Sequence, residues 1–277
     1  MRSERRETMA GLGVLARPGR ALWIFVVLLC ACKGGNRDGL PEMRKVETVK
    51  TMPLDAGGDA PSCSIVLDMV EVLGEGGNAE RINRTVMQRA FGLEANSMAE
   101  AADSFCLQRF SFYKESLSGL YEADKKHRVN SAWYDYRYAL TAACEAGRGN
   151  ILCYEITATR YEGGAREVTE CHELNFDLET GDVVTLDDWF QPVYKAVLPP
   201  LLMEELLEKF DCADRAALQE KGVLRFTDLY VPANYKLGKD GITFIYNPDE
   251  IAPYAAGIIR LGIPYGSLGS ILKDNNE

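Results

Sequence analysis

Histidine is scarce in this sequence: 277 residues hold two, His127 and His172. A metal-dependent deacetylase or hydrolase needs clustered His and Asp ligands. Neither histidine has ligand spacing, so no metal or other cofactor is expected. The eight cysteines include no Cys-x-x-Cys pair, which removes the usual zinc spacing. No Gly-x-Ser-x-Gly elbow and no phosphate-cradling glycine loop occur. Paired carboxylates for glycoside hydrolysis have no spacing that singles them out among 41 acidic residues. Positive charge is also short, 31 Lys and Arg against those 41 acids, for a net −10. Such a balance excludes nucleic acid as the natural partner. A membrane-spanning run is missing too. The apolar stretch Ala21–Leu29 has about ten residues, where a spanning helix needs roughly 20.

That short run has a role of its own. Arg2, Arg5, Arg6, Arg17 and Arg20 form a basic region before it, the pattern of a cleaved signal peptide, whether Met1 or Met9 starts the chain. Leu29-Cys30-Ala31-Cys32 resembles a bacterial lipoprotein box, with Cys32 as the residue that receives the lipid. Residues 1–31 read as the lipoprotein signal peptide. The mature protein is then held at the bacterial cell envelope, on the periplasmic or surface side, by a lipid anchor. Losing residues 1–31 removes five arginines and two glutamates, a net +3, so the mature charge becomes −13. Residues 32–62, with scattered Gly, Pro and Asp and no apolar period, read as a flexible tether reaching roughly 30 Å.

Beyond the tether the periodicity predicts α+β, an antiparallel meander and C-terminal strands with helices packed on them. Residues 63–130 form an N-terminal α+β segment. Its strand Ser64–Leu73 is followed by a helix capped at Asn78 and stopped at Gly92, then by a helix over Ser97–Ala123. In that second helix Phe105, Phe112 and Leu120 mark one apolar stripe, and Cys106, Phe110, Tyr113 and Leu117 mark another. Residues 131–277 form the C-terminal domain. Its period-two runs 133–144, 151–161 and 166–178 are joined by short Gly turns. Asp187 and Asp188 read as the start of a helix, Pro199-Pro200 as a break in the next one, and Pro264–Ser267 as the cap of a terminal helix through Leu272. Six cysteines remain beyond Cys32, enough for three disulfides in an exported protein. Cys144 and Cys153 flank a short turn and are the pair best placed to bridge.

The stretch Tyr246–Gly257 stands out. Two prolines and an exit glycine between two apolar runs describe a loop held in one shape, which serves either a binding surface or a structural corner. Tyr246, Asp249, Glu250 and Tyr254 are its candidate binding residues.

Four features in order carry a family likeness: Tyr161-Glu-Gly-Gly-Ala165; Asn175–Leu186 with Asp188-Trp-Phe190; Tyr246–Gly257; and Ile263-Pro-Tyr-Gly-Ser-Leu268. Together they resemble the extracytoplasmic domain of RsiV-like proteins, strongest from residue 150 onward. The resemblance implies an α+β fold found in lysozyme-sensing anti-sigma factors, beside polysaccharide deacetylase domains, and in many lipoproteins. The family turn commonly reads Gly-Gly-Ala-His, and Arg166 stands here in place of that His, so no role for the His carries over. An anti-sigma role needs a cytoplasmic segment and a true transmembrane helix, for which the N-terminal region is too short. The expectation is a non-catalytic envelope binding module for a lysozyme-like protein or a peptidoglycan-type glycan. A structural part of an envelope assembly comes next, and a peptidoglycan-acting enzyme last.

Overall fold

The computed structural model describes residues 39–57, 60–125, 131–269 and 271–273. The signal-peptide and Cys32 readings, and His127, fall outside those residues.

The region read as a tether holds a strand. β1 (Met43–Pro53) pairs antiparallel along its whole length with β2 (Ser62–Val72), Met43 opposite Val72. Val46 and Thr48 turn inward while Lys45 and Val49 stay exposed, a period-two pattern that the density of charge conceals. Two helices follow, α1 (Gly77–Phe91) and α2 (Met98–Asp124). Gly92 ends α1 in the left-handed conformation, and the Ser97 hydroxyl caps α2 by accepting from the Glu100 N–H. The chain then enters β3 (Tyr136–Ala146), β4 (Ile151–Glu162) and β5 (Val168–Asp177).

These strands make one sheet in the order β1-β2-β3-β4-β5. It is not wholly antiparallel, because β3 returns beside β2 in parallel after the α1–α2 crossover. Both helices lie on one face and close the first core with Ile65, Leu67, Met69, Tyr138, Leu140 and Tyr154. Of the two stripes on α2 the second is buried through Cys106, Phe110 and Tyr113. Phe112 and Leu120 of the first remain 49% and 60% exposed, since the helix lies on the sheet along a narrower line than two stripes require. Burial of a residue such as Phe110 contributes about 2–3 kcal/mol.

A second core forms around β6 (Tyr235–Leu237), β7 (Gly241–Tyr246) and β8 (Ile259–Pro264), with α3 (Leu186–Trp189), α4 (Tyr194–Lys209) and α5 (Arg215–Glu220) packed on it. Thr185 caps α3, and Asp188 closes a capping box with it, so the acid pair begins a helix one position earlier than expected. α4 runs unbroken through Pro199 and Pro200. The buried row Leu198, Leu202 and Leu206 outweighs the two lost N–H bonds, each leucine contributing about 2 kcal/mol. The expected terminal helix is a single turn over Tyr265–Ser267, after which Leu272 bridges to Phe190.

No bridge joins Cys144 to Cys153. Cys144 lies opposite Tyr154 and Cys153 opposite Glu145, and that one-residue offset sends the two side chains to opposite faces. Cys144 packs on the first core and Cys153 in the second; all six described cysteines are free thiols.

The turn 162–167 contains two glycines with different duties. Gly163 has φ +71, and a Cβ there would fall 2.1 Å from the Trp133 carbonyl oxygen, whereas a Cβ on Gly164 meets nothing within 4 Å. Gly163→Ala is therefore expected to cost about 2–4 kcal/mol and Gly164→Ala under about 1 kcal/mol. Chemical denaturation of the two variants measures the contrast.

Candidate recognition surface

The two sheets meet at β5, and polar side chains join them. Asn175 donates to the Tyr235 carbonyl (2.7 Å) and accepts from the Leu237 N–H (2.8 Å). Asn234 accepts from the Glu173 N–H and donates to the Cys171 carbonyl, both at 2.8 Å. Asn247 accepts from the Cys171 N–H at 2.7 Å and donates to the Cys171 carbonyl at 3.1 Å. A carboxamide has the donor and acceptor of a peptide group, so Asn234 and Asn247 occupy the outer edge of β5 where a further strand would pair, and Asn175, from β5, does the same for the edge of β6. Lys236–Glu145 (2.8 Å) and Arg260–Glu155 (2.9 Å) flank the seam. Glu173 lies between them, 7% exposed and directly opposite Glu155, with neither carboxyl oxygen hydrogen-bonded. Burial, and then the Glu155 charge, push its carboxyl up to about 8.

Asn247 also anchors the stretch 246–257 to this seam. Tyr246 itself is fully buried, its hydroxyl donating to the Tyr230 carbonyl at 2.5 Å. It is the last inward residue of the series Ile242, Phe244, Tyr246, and that alternation was the signal that it packs inward and meets no ligand. Asp249 takes a left-handed φ of +69 at the tip, exposed and 2.7 Å from Arg166. Arg166 lies 3.9 Å over the ring of Tyr254, whose hydroxyl donates to the Glu167 carbonyl. Tyr254 is thus half-buried, with one ring face covered. Glu250 accepts from the Tyr230 hydroxyl at 3.0 Å. Burial, and then that hydrogen bond, raise the Tyr230 phenol to about 12.

A second loop faces the first. Leu224 is buried at φ +53, a costly conformation for a branched side chain, and its N–H donates to the Ile251 carbonyl at 2.7 Å. The reversal at Leu224 turns the next two residues outward. Phe226 is 92% exposed, with Arg225 stacked 5.3 Å from its ring centre. Between the loops runs a groove of about 380 Å³ lined by Arg225, Phe226, Asp249, Glu250 and Pro253. Three of the four candidates, Asp249, Glu250 and Tyr254, therefore sit on one surface. Phe226 and Arg225 join them with no periodic sequence signal to mark them.

A larger groove of about 540 Å³ lies between α1 and the start of α2. Three of its four acids are engaged, Glu80 with Arg84, Glu71 with Arg44, and Glu100 with Asn96; the fourth is Glu94. His172 faces the helix side of the sheet, 2.7 Å from Arg89, and burial followed by the Arg89 charge lowers its pKa. Among the described residues no group of three or more His, Cys, Asp or Glu is arranged to hold a metal ion, and no helix is long and apolar enough to cross a membrane.

This is an α+β domain with a solvent-facing aromatic and acidic surface. Residues 187–266, which contain both loops, match the family described as "Protein of unknown function (DUF3298)", and the match supports a DUF3298 domain there. The chain is also similar to a solved DUF3298 family member from Bacteroides fragilis NCTC 9343, with TM-score 0.79 and 27% identity. That likeness covers 84% of this chain and 94% of the other. A DUF3298 family protein from Pseudomonas aeruginosa PAO1 shares the fold at TM-score 0.58 and 18% identity, covering 85% of this chain and 95% of the other. No curated protein matches the chain.

Proposed function

We propose that this chain is a non-catalytic, lipid-anchored binding module of the bacterial cell envelope, of the RsiV-like type. Its groove between residues 222–230 and 247–254 takes a lysozyme-like protein or a peptidoglycan-type glycan. The observation that carries the reading is Phe226, 92% exposed on a loop that a buried, left-handed Leu224 holds in place. A large aromatic kept in water by a strained turn is the form of a contact anchor. Asp249 and Glu250 beside it suit a basic partner, and their bonds to Arg166 and Tyr230 favour a fixed recognition edge over proton transfer. Glycan rings stack on aromatic faces as well as protein groups do, so both partners suit the same anchor.

Calorimetric titration with lysozyme and with soluble muropeptides tests this. One of the two binds, and Phe226→Ala weakens that binding about tenfold or more. Because Phe226 is solvated, the same variant shifts unfolding stability by under about 0.5 kcal/mol. Absence of binding to both ligands sinks the reading.

A further inference from the structure

β1 is the end strand of the five-stranded sheet, and its outer side pairs with no other strand among the described residues. The Leu73 N–H donates to the Glu42 carbonyl and the Leu54 N–H to the Pro61 carbonyl, in line with the Met43–Val72 register. Even-numbered residues of β1 are thus the ones bonded to β2, and the N–H and C=O of Met43, Lys45, Glu47, Val49 and Thr51 point outward. Pro53 has no N–H to offer at the next such position, which ends the usable edge there. Val49 is 61% exposed.

The sequence of that edge has an unusual symmetry. In Glu42-Met-Arg-Lys-Val-Glu-Thr-Val-Lys50 two charge pairs are complementary about Val46, while Arg44, which mirrors Thr48, is paired with Glu71 of its own chain. Glu42 mirrors Lys50, Lys45 mirrors Glu47, and Met43 mirrors Val49. We infer that two copies of this chain join through β1, antiparallel about Val46, so that their five-stranded sheets become one continuous sheet.

The outward groups restrict such pairing to registers in which odd residues exchange hydrogen bonds with odd residues. Centring on Lys45 or on Glu47 sets identical charges against each other, which destabilises a strand pair. Centring on Thr48 leaves Lys45 opposite Thr51 and Glu47 opposite Val49, with no charge match. Centring on Val49 brings Lys45 to Pro53 and forfeits a hydrogen bond. Only the Val46 centre sets Glu42 against Lys50 and Lys45 against Glu47, with Arg44 facing Thr48 and held by Glu71 of its own chain. Lys45 already touches Asp68 at 3.1 Å, and Lys50 touches Asp103 at 2.7 Å. Glu47 and Glu42 of the second copy add to those acids. A lysine on an edge strand commonly prevents pairing; here each lysine has an acidic counterpart at the mirrored position.

Sedimentation equilibrium of the full chain tests the inference. A dimer is expected, and Lys45→Glu or Glu47→Lys alone raises its dissociation constant about tenfold or more. The double swap Lys45→Glu with Glu47→Lys returns it to within about threefold, because the complement is rebuilt with its signs exchanged. Hydrogen exchange on the parent protein gives a readout independent of the variants: the amides of Lys45 and Glu47 slow as concentration rises. A monomer across the concentration range overturns the proposal. So does a double swap that folds, by circular dichroism, yet fails to restore the dimer, or exchange at those amides that ignores concentration.

Discussion

At pH 8, Glu173→Gln will be more stable than the parent by about 4 kcal/mol, while near pH 4 the two will be about equally stable. Glu173 faces Glu155 across the β4–β5 ladder, Glu145 from β3, Lys236 from β6, Arg260 from β8, and the thiols of Cys153 and Cys171. Both cations are already bonded to Glu145 and Glu155, which leaves the central carboxyl without a counter-charge. Its pKa is raised from 4.5 to about 8 in the folded protein. Below pH 4.5 folded and unfolded chains both carry the proton and the group is neutral to stability. Between 4.5 and 8 the unfolded chain releases it and the folded one retains it, so stability falls as pH rises; above 8 the loss is complete. Glutamine has no proton to lose and its curve lacks this slope. Urea titrations of both proteins from pH 4 to 9 give the difference curve, in which contributions from ionisable groups not coupled to Glu173 cancel. A difference that does not grow across that window contradicts the assignment.

Asn175→Ala is expected to cost about 3–5 kcal/mol. Asn175 is 2% exposed and satisfies two backbone groups of β6. Alanine leaves the Leu237 N–H and the Tyr235 carbonyl buried without partners, at about 1–3 kcal/mol each. Asn175→Asp keeps the acceptor for Leu237 but loses the donor to Tyr235, and buries a charge near Glu173. Burial raises the pKa of the introduced carboxyl, so the variant is predicted to be milder at low pH, where that carboxyl is protonated and donates, and more damaging as the pH rises. Denaturation of the three proteins at pH 4 and pH 7 separates these effects. If alanine costs under about 1 kcal/mol, Asn175 does not hold the seam together.

Much of the fold was legible in the sequence for a physical reason. In β3 one face packs on helices and the other stays open, so side chains alternate and the alternation shows. β4, by contrast, begins buried on both faces, with Leu152 and Tyr154 in the first core and Ile151 and Cys153 in the second. Gly92 and Ser97 mark helix ends because left-handed backbone and unsatisfied N–H groups demand such residues. β1 was concealed because even its inward face includes Thr48 and Lys50. The division into two sheets was invisible for another reason. Asn175, Asn234 and Asn247 act on residues 60 to 76 positions away, and a contact at that range leaves no period. The candidate site divides the same way. Asp249, Glu250 and Tyr254 follow from a proline-framed loop, and Tyr246 was misjudged although Ile242 and Phe244 set its face. Phe226 reaches the surface through a left-handed leucine, for which sequence offers no sign.

The parallel pairing of β2 with β3 also sets an order of events as the chain is made. The β1–β2 hairpin is complete by residue 72, yet the strand that must cover the other side of β2 begins at Tyr136. Until then β2 presents an unsatisfied backbone on its second side, and its apolar face waits for α1 and α2. Non-local pairing of this kind forms slowly. At an elongation rate of about 5–20 residues per second, the newborn hairpin stays open for several seconds or longer. In that interval the chain is most vulnerable to mispairing with its neighbours and most in need of a holding chaperone.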